Sequence, residues 1–355
     1  MSVPRVELFP GYSISRIVKG GWQLAGGHGA VAREQALDDM QRFVAAGITT
    51  FDCADIYNGV EELIGAFLAR LREREGPGAS ERVQVQTKYV PDRAALAALG
   101  AGDVARAIEG SLRRLGVERL DLVQFHWWDY AVPGYVEAAL RLDALRRAGK
   151  IGALGVTNFD VPRLRELLDA GVPVVAHQLQ YSAVDHRPEH GMLELCAARG
   201  VGLLCYGALL GGFLSERWLG APPPAEPLEN RSLVKYRLIV EEAGGWPTLQ
   251  RLLAALAALA RRRGVGIGAI ALRFVLDRPG VAGVIVGARH AGHLDATLAA
   301  LRVRLEPDDL SAIEAALAGA PGPAGDVYGL EREAGSRHAA IMKYDLNARR
   351  GGDAR

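Results

Sequence analysis

Eight short apolar runs, each set apart from the next by a helix-length stretch, restrict this chain to very few folds. The runs fall at residues 16–20, 49–53, 83–89, 120–126, 151–156, 174–180, 201–206 and 283–286. Each is short and rich in Val, Ile and Leu, as expected of parallel strands buried on both faces. Between them, residues 33–46, 60–73, 102–115, 135–148, 161–170, 192–199, 248–263 and 291–301 repeat apolar side chains at three- and four-residue spacing, the period of an amphipathic helix. Alternating strands and helices predict βαβ units and the α/β class. Eight such units over about 300 residues predict a closed (β/α)8 TIM barrel. An open, doubly wound parallel sheet is the competing layout.

Residues 1–320 read as one catalytic barrel. Residues 211–245, with Pro222–Pro224 and no clear periodicity, predict an extended loop after the seventh strand. Residues 321–355, rich in Gly, Pro and charge, predict an irregular tail packing on or near the barrel mouth. The 49% hydrophobic content supplies a single large core.

Net charge is +1, from 42 basic and 41 acidic residues. No basic surplus points to nucleic acid or an anionic membrane. The expected partner is a small molecule. The cysteines, Cys53, Cys196 and Cys205, form no C-x-x-C pair, so reduced thiols and a cytoplasmic setting are expected. Residues 1–12 hold no long apolar run, so no secretory signal is expected. The most apolar window, residues 249–260, contains Gln250 and Arg251 and reads as a buried helix instead of a membrane span.

In a barrel of this kind, chemistry lies at the carboxyl ends of the strands. Those ends carry Asp52 (then Tyr57 in the loop), Lys88, His126, Thr157–Asn158, Gln178 and Tyr206. Each alone has a bland reading: a helix cap, a satisfied core histidine, a loop aromatic. Their convergence from independent strands does not. Lys88, inside an otherwise strand-like Val-Gln-Val-Gln-Thr-Lys-Tyr, needs a carboxylate partner if buried, and Asp52 can supply it. A cation held near Tyr57 would favour its phenolate and lower its pKa. A tyrosine so placed can give a proton to a carbonyl oxygen as hydride reaches the carbon. His126 could hydrogen-bond and orient that oxygen.

On these residues the chain resembles the aldo-keto reductase superfamily, over roughly residues 5–320. The segments Phe-Asp-Cys-Ala-Asp-Ile-Tyr (51–57), Thr-Lys-Tyr (87–89), Leu-Val-Gln-Phe-His-Trp (122–127) and Lys-Ile-Gly-Ala-Leu-Gly-Val-Thr-Asn-Phe (150–159) carry the resemblance. It implies a nicotinamide-dependent reductase of aldehydes and ketones, with Asp52, Tyr57, Lys88 and His126 catalytic and Tyr57 the general acid. It further implies that Thr157, Asn158 and Gln178 meet the nicotinamide amide and that Tyr206 stacks on its ring. Gly207, Leu209 and Gly211 would follow the pyrophosphate, with Gly21 and Trp22 beside cofactor and substrate. Trp22, Trp127 and Trp128 are the expected substrate-facing aromatics. The alternative reading of Gln178 is a barrel-interior amide satisfied by its neighbours.

Residues 285–297 resemble the family's adenosine-ribose region, implying cofactor contacts from Gly287, Ala288, Arg289, His293 and Thr297. This chain departs there. Gly287-Ala288 stands where many members have Lys-Ser, His293 replaces an Arg, and Ala296-Thr297 replaces Glu-Asn. Arg289 is the clear cation, and its fork suits a 2′-phosphate, so NADPH is expected, with NADH the alternative. The run Gly264-Val-Gly-Ile-Gly-Ala269 matches a dinucleotide fingerprint in spelling but follows a helix, and reads as a cap and turn.

Two other functions stay open. Asp185, His186, Glu189 and His190 could seat a metal in a barrel hydrolase, although no H-x-H or H-E-x-x-H pair occurs; a solvated loop is the expected reading, with no metal. A cofactor-binding regulatory subunit of low activity is the second, since fold does not fix function.

Overall fold

The computed structural model describes residues 3–350; residues 1–2 and 351–355, the outer ends of the two regions above, lie outside the described residues. Eight parallel strands close into a barrel: β3 (Ile17–Gly20), β4 (Thr50–Asp52), β5 (Gln84–Tyr89), β6 (Leu120–Phe125), β7 (Ile151–Thr157), β8 (Val174–Gln180), β9 (Gly202–Tyr206) and β10 (Val281–Gly287). β10 pairs with β3, Val284 opposite Ile17, which closes the ring and excludes the open sheet.

Before the barrel, a hairpin of β1 (Arg5–Phe9) and β2 (Tyr12–Ser15), turned at Pro10-Gly11, covers the amino ends of the strands. Gly11 has φ +82°, which glycine adopts without strain. The hairpin sets Ile14, Val6 and Leu8 against Leu122, Ala153, Ala176, Leu204 and Ala282, the inward side chains of the barrel floor. That apolar plug leaves the carboxyl ends as the open face. The hairpin was not expected, although Pro10-Gly11 between apolar residues is its signal.

Outside the barrel run α1 (Arg33–Ala45), α2 (Val60–Glu75), α3 (Ala101–Leu115), α4 (Tyr135–Arg147), α5 (Val161–Asp169), α6 (Met192–Arg199), α7 (Arg231–Glu242), α8 (Gly245–Arg263), α9 (Ile267–Leu276), α10 (Leu294–Ala299) and α11 (Pro307–Ala316). The extended segment after β9 is helical in its second half: Asn230 caps α7, its side chain accepting from Leu233 N at 3.1 Å. α9 is apolar nearly all round and buried, so it shows no amphipathic period to read. Gly264, at φ +64°, ends α8, and Gly266 precedes α9; the G-x-G-x-x-A spelling is a cap and turn.

The tail holds three short helical turns, α12 (Gly329–Arg332), α13 (Arg337–Ala340) and α14 (Leu346–Arg350). It contacts the segments after β5, β6 and β8 and the helix α7. Glu331 meets Arg187 and Lys235, Arg332 meets Trp127, and Tyr328 packs on His126. The three cysteines are free and buried. No helix among the described residues is long and apolar enough to cross a membrane.

Candidate active site

Strand alternation decides which side chains enter the barrel. Along β6, Leu122 belongs to the floor, Gln124 and His126 lie above it, and Phe125 and Trp127 join the outer packing with Phe159 and Tyr135. Trp127 is therefore not at the mouth. It is fully buried, and its Nε1 donates to the carbonyls of Asp129 and Val132 at 3.0 Å each. Its expected substrate contact is corrected by that alternation. Trp128 does face the site: its ring meets the His126 imidazole edge-on at 4.4 Å, held by Nε1 donating to Pro91 O at 2.9 Å.

Asp52 and Lys88 are both buried and paired, Nζ to Oδ2 at 2.6 Å, with Nζ also donating to Cys53 O at 2.9 Å. The other oxygen, Asp52 Oδ1, accepts from Gln124 Nε2 at 3.1 Å and Gln178 Nε2 at 2.6 Å. Four polar side chains from β4, β5, β6 and β8 thus satisfy one another. Gln178 also donates to Gln124 Oε1 at 2.9 Å, so its amide N–H groups brace the Asp52 carboxylate and are not turned to a cofactor. Gln124 was missed, yet the same two-residue alternation that places His126 inside places Gln124 inside.

Tyr57 sits at the turn after β4, its ring 5.0 Å from Trp22 and 4.9 Å from the Lys88 ammonium. Burial pushes its hydroxyl above the ordinary tyrosine range; Lys88 pulls it down and Asp52 pushes it further up. The net rise corrects the expected lowering: desolvation of the phenolate outweighs the nearby cation, whose charge Asp52 largely neutralises. For Lys88, burial favours the neutral amine, but Asp52 more than reverses this and holds the ammonium charged.

His126 is pushed down to about 3 by burial, with Arg332 adding to the fall, so it is neutral. Its Nδ1 lies 3.0 Å from Thr157 O. A carbonyl only accepts, so Nδ1 carries the proton and Nε2 a lone pair. Nε2 is buried without a partner. The imidazole in this tautomer can accept from a hydroxyl but cannot donate to a carbonyl oxygen, which is a different role from the one expected.

Beside His126, next to Thr157 at the end of β7, Asn158 takes φ +61°, and its Oδ1 accepts from Tyr206 OH at 2.8 Å. Gly207 (φ +82°) and Gly211 (φ +65°) are fixed as glycines by Tyr236 as well as by φ; a Cβ on Gly207 would meet its hydroxyl, and one on Gly211 its ring, each at 2.7 Å. Leu209 is half-buried beside them. Gly21 packs closely on β4, where a Cβ would come within 2.8 Å of Asp52 O. After β10, Gly287 and Arg289 are exposed, and Ala288 is buried, its carbonyl accepting from Lys19 at 3.2 Å. Arg289 Nη1 donates to His28 O across the groove, and its backbone N–H to Gln23 Oε1 at 3.1 Å. His293, which precedes α10, is exposed, and Thr297, in the second half of that helix, is half-buried.

Sequence reasoning missed three groups here. Arg231, at the start of α7, lies over Trp22 at 5.2 Å and shares the rim with Arg289 and His28. Lys235 sits 5.0 Å over the Tyr206 ring and 3.5 Å from Glu331. Glu331 comes from the tail, with Arg187 at 3.2 Å; Arg187 in turn grips Asp185 at 2.7 Å. None of these had a strand-end position to mark it.

The acidic cluster after β8 is spent on other partners. Asp185 holds Arg187, Glu189 pairs with His186 at 3.2 Å and accepts from Tyr181, and His190 is exposed. Among the described residues no three His, Cys, Asp or Glu side chains converge on a metal position.

A sequence profile of the Aldo/keto reductase family matches residues 16–318. The chain is 31% identical over 308 residues to Protein tas of Escherichia coli, spanning 77% of this chain and 86% of that one. It is 32% identical over 264 residues to flagellar radial spoke protein 5 of Chlamydomonas reinhardtii; that match covers 63% of this chain and about half of the spoke protein, 49%. The glycerol dehydrogenase of Gluconobacter oxydans superposes with a TM-score of 0.76 at 25% identity, over 92% of this chain and 98% of that one. The protein belongs to the aldo/keto reductase family, as an oxidoreductase that interconverts carbonyls and alcohols with a nicotinamide cofactor.

Proposed function

We propose that Tyr57 is the acid that protonates the carbonyl oxygen during reduction. The observation that carries this is its hydroxyl-bearing ring held against the buried Lys88–Asp52 pair, beside Trp22 at the mouth. Its raised pKa keeps the proton on oxygen at neutral pH. As the oxygen gains charge, the Tyr57 O–H bond breaks and the proton moves to it. Lys88 then stabilises the phenolate that remains, and Asp52 and the two glutamines hold Lys88 in place. Once the proton has moved, the new alcohol hydroxyl can turn to donate to His126 Nε2, which orients the product; in the reverse direction that hydroxyl must face the Tyr57 phenolate instead.

A nicotinamide dinucleotide supplies hydride to such a site. The residues fit it: Asn158, Tyr206, Gly207 and Leu209 lie on one side of the Tyr57 centre, and Arg231 and Arg289, which together with burial disfavour charge on the neighbouring His28, form a cationic rim. We assign the preference to NADPH, and modestly, because Arg289 is exposed, can present its fork to a 2′-phosphate, and has Arg231 as a second cation nearby. The expected setting is the cytoplasm, and the expected substrates are small aldehydes and ketones.

The test is Tyr57→Phe. Fold and cofactor affinity are expected to hold while kcat for aldehyde reduction falls by about 10² or more. Reduction within a few-fold of the parent would remove Tyr57 from the role.

A further inference from the structure

Lys19, in β3, is a buried cation outside the Tyr57 centre. Its ammonium lies between the barrel wall and α1, 5.6 Å from the Phe43 ring and 5.7 Å from Phe51. Burial pulls it down to about 8, and Asp39 opposes the fall. Yet Lys19 makes no ion pair among the described residues. Asp39, buried on α1, meets Arg42 through Oδ1 at 3.6 Å, and its Oδ2 has no hydrogen-bond partner. An ammonium in so apolar a place is costly. Its hydrogen bond goes to Ala288 O, at 3.2 Å.

Gln23, in the turn after β3, holds the adjoining group of the same loop. Its Oε1 accepts from Arg289 N at 3.1 Å. Ala288 C=O and Arg289 N–H are the two ends of one peptide unit, and in a planar trans peptide they point in opposite directions. Two side chains from one segment therefore grip that unit from both ends and fix its orientation. β10 runs beside β3, with Val286 opposite Lys19 and Gly287 opposite Gly20, which brings the loop within reach. Gly287 leaves room for the grip. A Cβ there would lie 2.5 Å from Gln23 Nε2, so any side chain would push the amide aside. Arg289 leaves the gripped unit directly, and its Nη1 donates to His28 O in the same segment as Gln23.

We propose that Lys19 and Gln23 are positioning residues for the adenosine end of the cofactor: by gripping the Ala288–Arg289 peptide they hold Arg289 where its fork meets the bound dinucleotide. The assignment rests on the reading of Arg289 as a cofactor contact. Arg289 is exposed and long, and a loose loop would leave it to be ordered on binding at the cost of its rotamer freedom. A loop held in advance avoids that cost. The bond from an ammonium to the Ala288 carbonyl is charge-assisted and stronger than one from a neutral donor, which is what a lysine supplies here and an apolar residue would not.

Fluorescence titration with NADPH and NADH tests this on the parent, Lys19→Met, Gln23→Leu, Arg289→Ala and the two double variants that carry Arg289→Ala. Lys19→Met fills the same apolar space without a donor. Gln23→Leu removes the acceptor at a half-buried position and probes the grip without disturbing the core. Each is expected to weaken NADPH binding by about 10-fold, within the range for residues that share one hydrogen-bond network. In the Arg289→Ala background neither is expected to cost more than about twofold, because no guanidinium is left to position. A structural role alone would instead add its loss to that of Arg289→Ala. Single variants within about twofold of the parent, or losses that add in full, overturn the proposal. The reading it rests on fails separately. If Arg289→Ala weakens NADPH and the other two single variants do not, the grip falls and the Arg289 contact stands. If Arg289→Ala changes neither cofactor, the contact falls and the proposal with it. Losses that do not add and are equal for the two cofactors keep the grip and move Arg289 from the phosphate to the adenine.

Discussion

Glu331 Oε2 accepts from Arg187 Nη1 at 3.2 Å, which ties the C-terminal tail to the loop after β8. Lys235 of α7 approaches the other oxygen at 3.5 Å, so one tail carboxylate joins three segments over the barrel mouth. Both Glu331 and Arg187 are almost fully buried. Glu331→Ala removes the one carboxylate paired with Lys235 and leaves Arg187 with Asp185 alone. With Arg187 still paired, the expected loss of unfolding stability is at the low end for a broken buried pair, about 3 kcal/mol. Burial favours the neutral acid, but Lys235 and Arg187 hold the Glu331 carboxyl below the usual range. Its contribution is present above the unfolded carboxylate pKa and is lost as pH falls through the folded one. Urea titrations of parent and variant are therefore expected to converge in acid. A gap that stays constant from pH 7 into the carboxylate range would mean that the ion pairs are not what holds the tail.

Lys88→Met removes the ammonium that steadies Asp52 and opposes the rise of Tyr57. Gln124 and Gln178 still donate to Asp52, so the expected loss is at the low end for a broken buried pair, about 3 kcal/mol. The kinetic sign is fixed by geometry. Without Lys88 the Tyr57 phenolate loses its stabiliser, so its pKa goes up. The alkaline rise of alcohol oxidation, which needs the phenolate as base, is expected to move to higher pH while reduction slows. An unshifted limb in the pH–rate profile of Lys88→Met would break the link between the two residues.

His126 and His177 are both buried and both pushed down to about 3, burial being the larger cause in each. The unfolded chain takes up a proton at each near the ordinary histidine pKa, and the folded protein does not. Stability therefore falls as pH drops below that value, by about 1.4 kcal/mol per unit per histidine. His177 Nε2 accepts from Phe159 N at 3.2 Å, so it is a structural group that can be replaced without touching the proposed chemistry. His177→Asn is expected to make the decline between pH 6 and 4 about half as steep in chemical denaturation. A parent whose urea midpoint is flat over that range would show that these imidazoles protonate in place.

Arg289→Ala tests the cofactor assignment. The side chain reaches His28 O and presents the rest of its fork to the groove. If it also clamps a 2′-phosphate, Kd for NADPH rises by about 10- to 100-fold and Kd for NADH hardly moves. Fluorescence titration of parent and variant with both cofactors gives the four constants. Equal losses for the two would place Arg289 at the adenine or the loop instead of the phosphate.

The sequence by itself determined the barrel, because period and run length are local properties: strands buried on both faces must be short and apolar, and the helices covering them must be amphipathic. It also determined the strand ends, and so Asp52, Tyr57, Lys88 and His126. What it left out has one of two causes. α9 has no polar face, and the hairpin of β1 and β2 is too short for a period to stand out. Gln178 spends its amide on Asp52, Trp127 turns outward beside an inward His126, and Glu331 and Arg332 arrive from more than two hundred residues beyond Tyr57. Only the tertiary structure could decide these, along with the direction of the Tyr57 shift and the tautomer of His126. Each depends on how much water is excluded and on which partner lies across the mouth, and neither is a property of neighbouring residues in the chain.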